Sequence, residues 1–560
     1  MNLKKMLFAS ACVLFAGLTI VTVSSCEKGS ANIEDYVGVQ ESDPYDPSKP
    51  IVISSFTPES GSVGQQVVIY GSNFGNDPDM IDLTIGGKKA VVVSVKGNCL
   101  YTFIPSKSFT GEIVMTIQGK TATCADKFNY ERKMVVGTLC GYKNALDNQG
   151  WQEGPFDGPD GVRTAGFRND GTLQFSPYNH DQLFLVYDQS PNWGDGRGVW
   201  LIDLKERYVT NVLPPSMFNT ERLRTIDFTV DPFMYDTYGQ LLGRATPEWE
   251  ASATTDELRW REHLIISADN GAYTSNWKSN SVYIVDRDQS GDFSSRSKVT
   301  KLACYQACNG ASVHPNGELY FTSFTKGEVI RLDMEYYWQS IEEGTSWNPN
   351  VQDNEVEAFQ ILYTIQDGSW EFQIDIHPTG NYAYIVVINR HYMLRTDYDW
   401  KTKKFLPPYQ IAGQLKETGL VDGVGKQAKM NRPYQGTFVL NDEYVKEGKS
   451  DPYDFYFIET ENHAVRLLTP EGIVKTYAGA NASSHADGNM YGSEDGELRD
   501  VARFNRPSGI INDYHIDKIT GEKTLIFYIV DGSNRRMRTI TMEEPEDDEL
   551  ETVTDDTGAE

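Results

Sequence analysis

Long amphipathic helices are missing from this sequence, because no window shows a sustained heptad or a long apolar period of 3.6 residues. Aromatic residues are abundant instead (Tyr 31, Phe 25, Trp 10), and 48 glycines with 24 prolines interrupt the chain often. This mixture is typical of short strands joined by turns. At 560 residues the chain is also too long for one ordinary hydrophobic core. The sequence therefore predicts an all-β protein of more than one domain.

Positive charge is scarce. The chain has 51 Lys and Arg residues against 79 Asp and Glu residues, which gives a formal net charge of −28. Such a balance disfavours binding to nucleic acid or, without an anchor, to an anionic lipid surface. Part of the excess is local, since residues 543–560 hold ten carboxylates and no basic residue. We predict that this segment is an acidic, disordered tail.

Motifs of familiar catalytic and metal sites are absent. The sequence has no His-Glu-x-x-His, Gly-x-Ser-x-Gly or Walker motif, and no Cys-x-x-Cys pair with matching histidines. It therefore predicts a non-catalytic protein without a cofactor. One candidate for calcium exists, because Asp286, Asp288, Ser290 and Asp292 match the first half of a calcium loop. Ser297 stands where an EF-hand needs glutamate, so an ordinary polar turn is the favoured interpretation.

The N-terminus has the pattern of an export signal. Two lysines precede an apolar stretch, residues 6–23, which is short for a membrane span. A Val-Ser-Ser sequence then leads to Cys26, and this resembles a bacterial lipobox, in which the cysteine is acylated, with palmitate among the expected chains. The alternative is an ordinary secretory signal with an incidental cysteine. We predict a signal peptide at 1–25, a lipidated flexible tether at 26–50, and a position at the cell surface in the outer membrane.

The remaining cysteines do not settle their own pairing. Once Cys12 and Cys26 are set aside, five are left, which is an odd number. Cys304 and Cys308 are close in sequence and either bridge or stay free. A second candidate pair, Cys99 with Cys124, lies within one small domain.

Residues 51–131 have the spacing of a known small domain. Pro58, Gly61 and Gly64 recur at three-residue intervals, and alternating Val and Ile positions lead to Phe74. The pattern resembles the IPT/TIG immunoglobulin-like domain. The resemblance implies a β-sandwich whose core contains Phe74 and whose glycines form the turns between strands.

The C-terminal part of the chain repeats itself. Residues 409–440 return with variations at 474–512, and both copies contain Asn-Arg-Pro before a new apolar run. Six such segments, each with four strand-like runs, fill residues 132–542. Units of this kind predict a six-bladed β-propeller. Residues 134–138 match the outer strand at 474–478, so we expect them to complete blade six and close the ring.

The last two blades resemble NHL repeats. The segment Glu459–Arg466 is close to the Asp-x-x-Asn-His-x-Val/Ile-Arg hairpin of that family, and Asp531–Arg538 is a looser version. The lipobox, the IPT/TIG domain and the propeller together resemble outer-membrane lipoproteins that accompany nutrient-uptake systems of the starch-utilisation type. The resemblance implies a surface protein that serves such a system.

The loops between the second and third strands of the blades are the candidate ligand site, because they converge around the central channel of a propeller. Exposed tryptophans there offer flat faces to sugar rings, and nearby polar groups offer donors. The candidate ligand-binding residues are Trp193, Trp277, Arg390, His391, Asn462, His463 and Arg535.

The predicted function is the capture of an extracellular polymer. The expected polymer is a glycan, so the protein is predicted to be carbohydrate-binding. Two alternatives stay open: a propeller glycoside hydrolase or lyase, and a subunit of an outer-membrane transporter complex that binds protein or peptide. A compact cluster of His, Tyr and carboxylate groups at the channel would favour the enzyme. An exposed row of aromatic rings would favour the glycan.

Overall fold

The structure is a computed structural model of the whole chain. It describes residues 43–105, 107–143, 151–158, 163–167, 171–177, 179–187, 198–218, 222–229, 234–235, 241–243, 262–269, 280–323, 326–353, 357–365, 371–517 and 520–543. The predicted signal peptide, nearly all of the tether with Cys26, and all of the acidic tail but Glu543 lie outside these ranges. In the described ranges, none of the helices has the length and apolar character needed to cross a membrane.

The chain forms two compact units. Among the described residues, one contains those from Asp43 to Met134 together with residues 516–517 and 520–522, Met542 and Glu543. The other consists of Val135–His515 and Lys523–Thr541.

The first unit consists of two four-stranded antiparallel sheets around one core. Their strand orders are β1-β3-β7-β6 and β5-β4-β8-β9, and β10 pairs in parallel with β2. The strands are β1 (Val52–Thr57), β2 (Ser60–Gly61), β3 (Gln66–Ser72), β4 (Ile81–Ile85), β5 (Lys88–Ala90), β6 (Val92–Lys96), β7 (Cys99–Phe103), β8 (Ile113–Ile117), β9 (Lys120–Thr123) and β10 (Asn129–Tyr130).

Period-two alternation builds the core of this unit. Alternate residues of β4 and β8 are buried and their neighbours are more exposed, so each strand has one apolar face. Phe74 is 1% exposed, as the sequence predicts for a core residue. Gly71 allows this packing, because a Cβ there would lie 1.9 Å from the carbonyl oxygen of Val52 and 2.5 Å from the Phe74 ring.

The second unit begins with β11 (Met134–Gly141) and continues through blades one to three. Each blade is an antiparallel sheet, and the second carries the small hairpin β18-β19. Blade one contains β12 (Gly154–Pro155), β13 (Gly171–Ser176), β14 (Asn179–Tyr187), β15 (Val199–Asp203) and β16 (Tyr208–Leu213). Blade two and its hairpin contain β17 (Arg222–Thr229), β18 (Met234–Tyr235), β19 (Leu241–Gly243), β20 (His263–Asp269), β21 (Asn280–Asp286) and β22 (Lys298–Cys304). Blade three contains β23 (Ala311–Val313), β24 (Leu319–Ser323), β25 (Glu328–Leu332) and β26 (Phe359–Thr364).

Blades four to six follow the same plan. Blade four contains β27 (Phe372–Ile376), β28 (Tyr382–Val387), β29 (Tyr392–Asp399), β30 (Lys404–Phe405) and β31 (Tyr409–Gly413). Blade five contains β32 (Gly423–Val424), β33 (Pro433–Leu440), β34 (Tyr453–Glu459), β35 (Ala464–Leu468) and β36 (Ile473–Gly479). Blade six contains β37 (Gly496–Glu497), β38 (Pro507–Ile516), β39 (Lys523–Asp531), β40 (Arg536–Met542) and β11.

Helices in the described ranges are short and lie in connections. The α-helices are α1 (Met334–Glu342) and α2 (Asp442–Lys446). The 3-10 helices are Pro78–Met80, Pro215–Phe218, Ile388–Arg390, Gly425–Gln427, Ala482–Ser484 and Gly532–Asn534.

The first strands of all six blades (β13, β17, β23, β27, β33 and β38) line one central cavity. This arrangement is a β-propeller, and it confirms the predicted fold class of an immunoglobulin-like β-sandwich followed by a six-bladed propeller. The Asn-Arg-Pro copies sit where the sequence places them, since β33 begins at Pro433 and β38 begins at Pro507.

The ring closes through its N-terminal strand. Blade six has the order β37-β11-β40-β39-β38, so β11 lies beside β40 as the fourth strand of that blade. The predicted match between residues 134–138 and the outer strand of blade five is thus a match between equivalent strands. Val136 and Cys140, on one face of β11, are buried.

Hydrophobic clusters hold neighbouring blades together. One such cluster joins blades one and two through three aromatic rings. The ring centroid of Phe184 lies 5.6 Å from those of both Phe228 and Phe293. Another joins blade six to blade one and contains Cys140, Leu185 and Met537. Because each blade buries its faces only against its neighbours, a single repeat cannot form this core alone.

Candidate functional site

The hairpin signature of blade five is occupied by an internal polar cluster. Arg466 is fully buried, and its Nη1 and Nη2 lie 2.7 Å from Glu459 and 3.0 Å from Asp422. Asn462 donates to Glu459 and, at 2.9 Å, to the carbonyl oxygen of Gly419. Burial raises the pKa of Glu459, and the charge of Arg466 opposes that shift. These contacts tie the hairpin to the preceding connection between blades.

Blade six repeats this cluster. Nη1 of Arg538 lies 2.7 Å from Asp531, and Nη2 lies 2.6 Å from Asp495. Asn534 donates to Asp531 at 2.7 Å and to the carbonyl oxygen of Gly492. The acid-Asn-Arg spacing of the sequence is therefore a structural device of the blade. The amide of Asn462, a candidate ligand-binding residue, is used inside the protein.

Two histidines at the hairpin tips accept hydrogen bonds from backbone N–H groups of the next connection between blades. Nδ1 of His391 accepts from the backbone N–H of Arg432, and Nδ1 of His463 accepts from that of Arg506, both at 3.0 Å. Each histidine has left-handed backbone, with φ of 64° and 54°. An accepting Nδ1 requires the neutral tautomer with hydrogen on Nε2. Burial lowers the pKa of both rings. Arg432 and Arg390 lower the pKa of His391 further, whereas at His463 the charge of Glu461 opposes the shift.

Contacts of this kind recur at one end of the propeller in the described residues. The tips between the second and third strands of blades four to six lie against the connections between blades. Arg390 ends the 3-10 helix in the tip of blade four and is half-buried, and Arg535 is 6% exposed in that of blade six. Trp193 and Trp277 lie outside the described residues.

Five charged side chains meet at the starts of the first strands, and we name them the channel-mouth cluster: Arg222, Arg224, Asp269, Glu371 and Arg432. Nη1 of the fully buried Arg224 lies 3.2 Å from Asp269 and 3.3 Å from Glu371. Glu371 also lies 3.6 Å from Arg222 and 3.3 Å from Arg432. Three guanidinium groups thus surround two carboxylates, on a protein whose net charge is strongly negative.

The cluster lies on the same surface as the hairpin tips. Asn389, in the tip of blade four, lies with its Nδ2 3.4 Å from Glu371. Arg432 connects the cluster to His391 through its backbone N–H. The predicted site residues Arg390 and His391, which are neighbours in the chain, therefore lie beside the cluster. The sequence marks the cluster only by position. Arg222 and Arg224 are the first and third residues of β17, and Glu371 and Arg432 directly precede β27 and β33.

The channel behind the cluster holds two connected spaces. One is a cavity of about 190 Å³ lined by the first strands, with Asp227, Gln373 and Asp375 among its residues. The other, of about 330 Å³, shares Asp227 and continues toward the turns between first and second strands, where His180 and His377 lie.

The candidate calcium loop is filled by its own side chains. Asp288 accepts from the backbone N–H of Ser290 at 2.8 Å and lies 2.9 Å from Nη2 of Arg296. The pKa of Asp288 lies well below its usual range. The largest cause is a hydrogen bond from Ser294, and the contacts with Ser290 and Arg296 lower it further. In the described part of the chain, no three His, Cys, Asp or Glu side chains come close enough together to hold a metal ion. The contacts are those of a polar turn, and calcium at this loop stays a prediction.

The five described cysteines are free thiols, so neither candidate pair is bridged. Burial raises the pKa of Cys304 to about 11 and that of Cys308 to about 12, which keeps both as neutral thiols.

Comparison with known proteins agrees with this architecture. The IPT/TIG domain family matches residues 50–131. A comparison with curated proteins gives no match. A solved structure from Bacteroides thetaiotaomicron, whose name provisionally assigns it as a phosphatase, is 44% identical with a TM-score of 0.73, and the match covers 90% of this chain and 99% of that one.

Two further solved structures are named auxiliary nutrient binding proteins. The one from Bacteroides thetaiotaomicron is 37% identical with a TM-score of 0.69, and the match covers 90% of this chain and 100% of that one. The one from Bacteroides ovatus is 29% identical with a TM-score of 0.55, over the same shares of the two chains.

Proposed function

Because this chain belongs to the same family as the auxiliary nutrient binding protein of Bacteroides thetaiotaomicron, we propose that it binds an extracellular nutrient as an accessory of an uptake system. The nutrient is a glycan polymer, and the chain holds it without cleaving it. The site is the propeller surface that carries the hairpin tips and the channel-mouth cluster.

The observation that carries this proposal is the cluster itself. Arg222, Arg432 and Asn389 gather hydrogen-bond donors around Glu371 at one end of the channel, and the buried Arg224 adds its positive charge from below. Sugar hydroxyl and carboxylate groups accept hydrogen bonds from such donors, and guanidinium groups bind carboxylates through paired N–H groups. The local excess of positive charge lets an acidic or neutral polymer approach a protein that otherwise repels anions.

The aromatic part of the site is proposed from the sequence. Trp193 and Trp277 stand in polar loops between the second and third strands of blades one and two. Their flat faces suit the C–H face of a sugar ring, and Arg390 and the cluster supply hydrogen-bond donors to the same ligand.

Substitution of the loop tryptophans is expected to weaken capture. Trp193→Ala and Trp277→Ala should each raise the Kd for a glycan found by array screening about tenfold or more, since a lost stacked ring commonly costs on the order of 1–3 kcal/mol. Arg390→Ala should also raise the Kd for the glycan. Affinity-gel electrophoresis or calorimetry measures the change, and the melting temperature should stay nearly constant.

Trp400→Ala is the matched control. Trp400 is 49% exposed, and its Nε1 donates to Asn381 at 2.8 Å, at the opposite end of blade four from Arg390. It should bind the glycan like the wild type. Equal affinity in all the variants would move the site elsewhere. Product release in the same assay would favour the hydrolase or lyase, and binding to transporter subunits or peptides without glycan binding would favour the interaction subunit.

Membrane attachment is proposed through Cys26. Cys26→Ala should release the protein into the soluble fraction of the periplasm or medium, because the acyl chains that hold it at the outer membrane are lost. Fractionation of washed membranes measures this. Retention of the variant to the wild-type extent would show that the cysteine is incidental.

A further inference from the structure

The cavity inside the propeller channel has an unbalanced charge. Its lining is made of apolar and neutral polar residues together with two carboxylic acids, Asp227 and Asp375, and it includes no lysine, arginine or histidine. Carboxyl groups in a poorly solvated space attract a positive charge more strongly than they would in water. The chemistry of this space is therefore opposite to that of the channel-mouth cluster.

Asp227 is already supplied with donors. Its two oxygens accept from the backbone N–H groups of Phe228 and Val313, both at 2.8 Å. They also accept from Gln174 at 3.0 Å and from Ser312 at 3.1 Å. Four donors fix this side chain in place, next to the cavity.

Asp375 and Gln373 lie differently. Oδ2 of Asp375 is buried and has no hydrogen-bond partner among the described residues, and the same holds for Nε2 of Gln373, a residue only 2% exposed. Both residues come from β27, two positions apart, so they share the strand face that lines the cavity. Buried polar atoms are nearly always satisfied, so these two point to something that occupies the space. Burial, followed by the charge of Asp227, raises the pKa of Asp375 well above its usual range.

We propose that this cavity binds a hydrated divalent cation of the calcium type, with Asp375 as its principal protein ligand. Asp227 balances the charge, and the amide of Gln373 supplies its oxygen after rotation by 180°, since the two ends of an amide exchange roles in this way. Ser312 and water complete a shell of oxygens, the ligands that calcium prefers. Occupation neutralises two carboxyl groups that otherwise stand near each other in a poorly solvated space.

The expected affinity is low. Two carboxylates among neutral oxygens resemble the weaker calcium sites of extracellular modules, with Kd on the order of 10⁻⁴–10⁻³ M. The competing occupant is water alone, for which a cavity of about 190 Å³ has room.

The test uses the full chain, freed of metal with a chelator and titrated with CaCl2 by calorimetry and thermal shift. One ion should bind per cavity, and Asp375→Asn should raise its Kd at least tenfold. In chelator the Asp375→Asn chain should melt at or above the wild-type temperature, because the amide cannot ionise in a place where burial and Asp227 disfavour a negative charge. Asp292→Asn is the control, since it removes an exposed ligand of the other candidate calcium loop and should leave this binding unchanged.

A second measurement does not depend on a variant. Crystals grown with SrCl2 should show an anomalous peak beside the Asp375 carboxylate, at about 2.3–2.6 Å from its oxygens with some allowance for the larger ion. The absence of this peak, no heat of binding up to about ten times the weakest expected Kd, or binding that Asp292→Asn removes and Asp375→Asn does not would each overturn the proposal. The cavity would then hold water only.

Discussion

Replacing Arg538 with alanine is expected to lower the free energy of unfolding by about 3–5 kcal/mol, because it leaves a buried charge without its partner. Nη1 of Arg538 lies 2.7 Å from Asp531, and both side chains are fully buried. The guanidinium also donates to the carbonyl oxygens of Arg503 and Glu494, at 3.1 and 2.8 Å. The substitution removes the donors of all three groups. Urea unfolding followed by tryptophan fluorescence measures the loss.

An exposed ion pair provides the control for Arg538→Ala. Lys446 lies 2.8 Å from Glu443, and the two side chains are 70% and 74% exposed. Lys446→Ala should therefore leave the free energy of unfolding almost unchanged, because water and salt screen an exposed ion pair. Arg466→Ala, at the equivalent position of blade five, should resemble Arg538→Ala. A cost for Arg538→Ala no larger than that of Lys446→Ala would mean that the buried cluster does not stabilise the blade.

Removal of residues 133–140 is expected to prevent the propeller from forming a cooperative fold. The deletion takes away most of β11, the strand that completes blade six, and exposes the edge of β40. It also removes Val136 and Cys140 from their buried positions. Far-ultraviolet circular dichroism and differential scanning calorimetry should show a lost or strongly lowered transition.

Removal of the IPT/TIG unit, residues 51–131, is the comparison for this deletion. The core of that unit contains residues 53–130 alone, so the hydrophobic clusters between the blades keep all their members. The transition of the propeller should be lowered far less than by the loss of residues 133–140. If the chain without residues 133–140 melts within a few degrees of the intact one, β11 does not carry the closure.

The sequence predicts the repeats because local patterns encode them. The Asn-Arg-Pro copies mark where β33 and β38 begin, and the likeness of residues 134–138 to 474–478 marks β11 as an outer strand. Strand alternation and turn residues depend on near neighbours in the chain, which a single sequence displays directly.

The sites depend on contacts that no local pattern displays. The sequence assigns Asn462 to ligand binding because it stands at a hairpin tip, but folding turns its amide onto Glu459 and Gly419. No sequence pattern marks Glu371 as a site residue. Folding places it between Arg222 and Arg432, which are 149 and 61 positions away from it in the chain.

The sequence by itself determined that this protein is all-β, that a sandwich precedes six repeated blades, and which strand closes the ring. These follow from periodicity and self-similarity, which are written along the chain. Only the tertiary structure decided which charged side chains lie close together. Closing the ring brings the starts of the first strands together, so the arginines of the channel-mouth cluster meet Glu371 at one end. The same closure encloses Asp227 and Asp375 within a single cavity, far from each other in sequence and joined only by the fold.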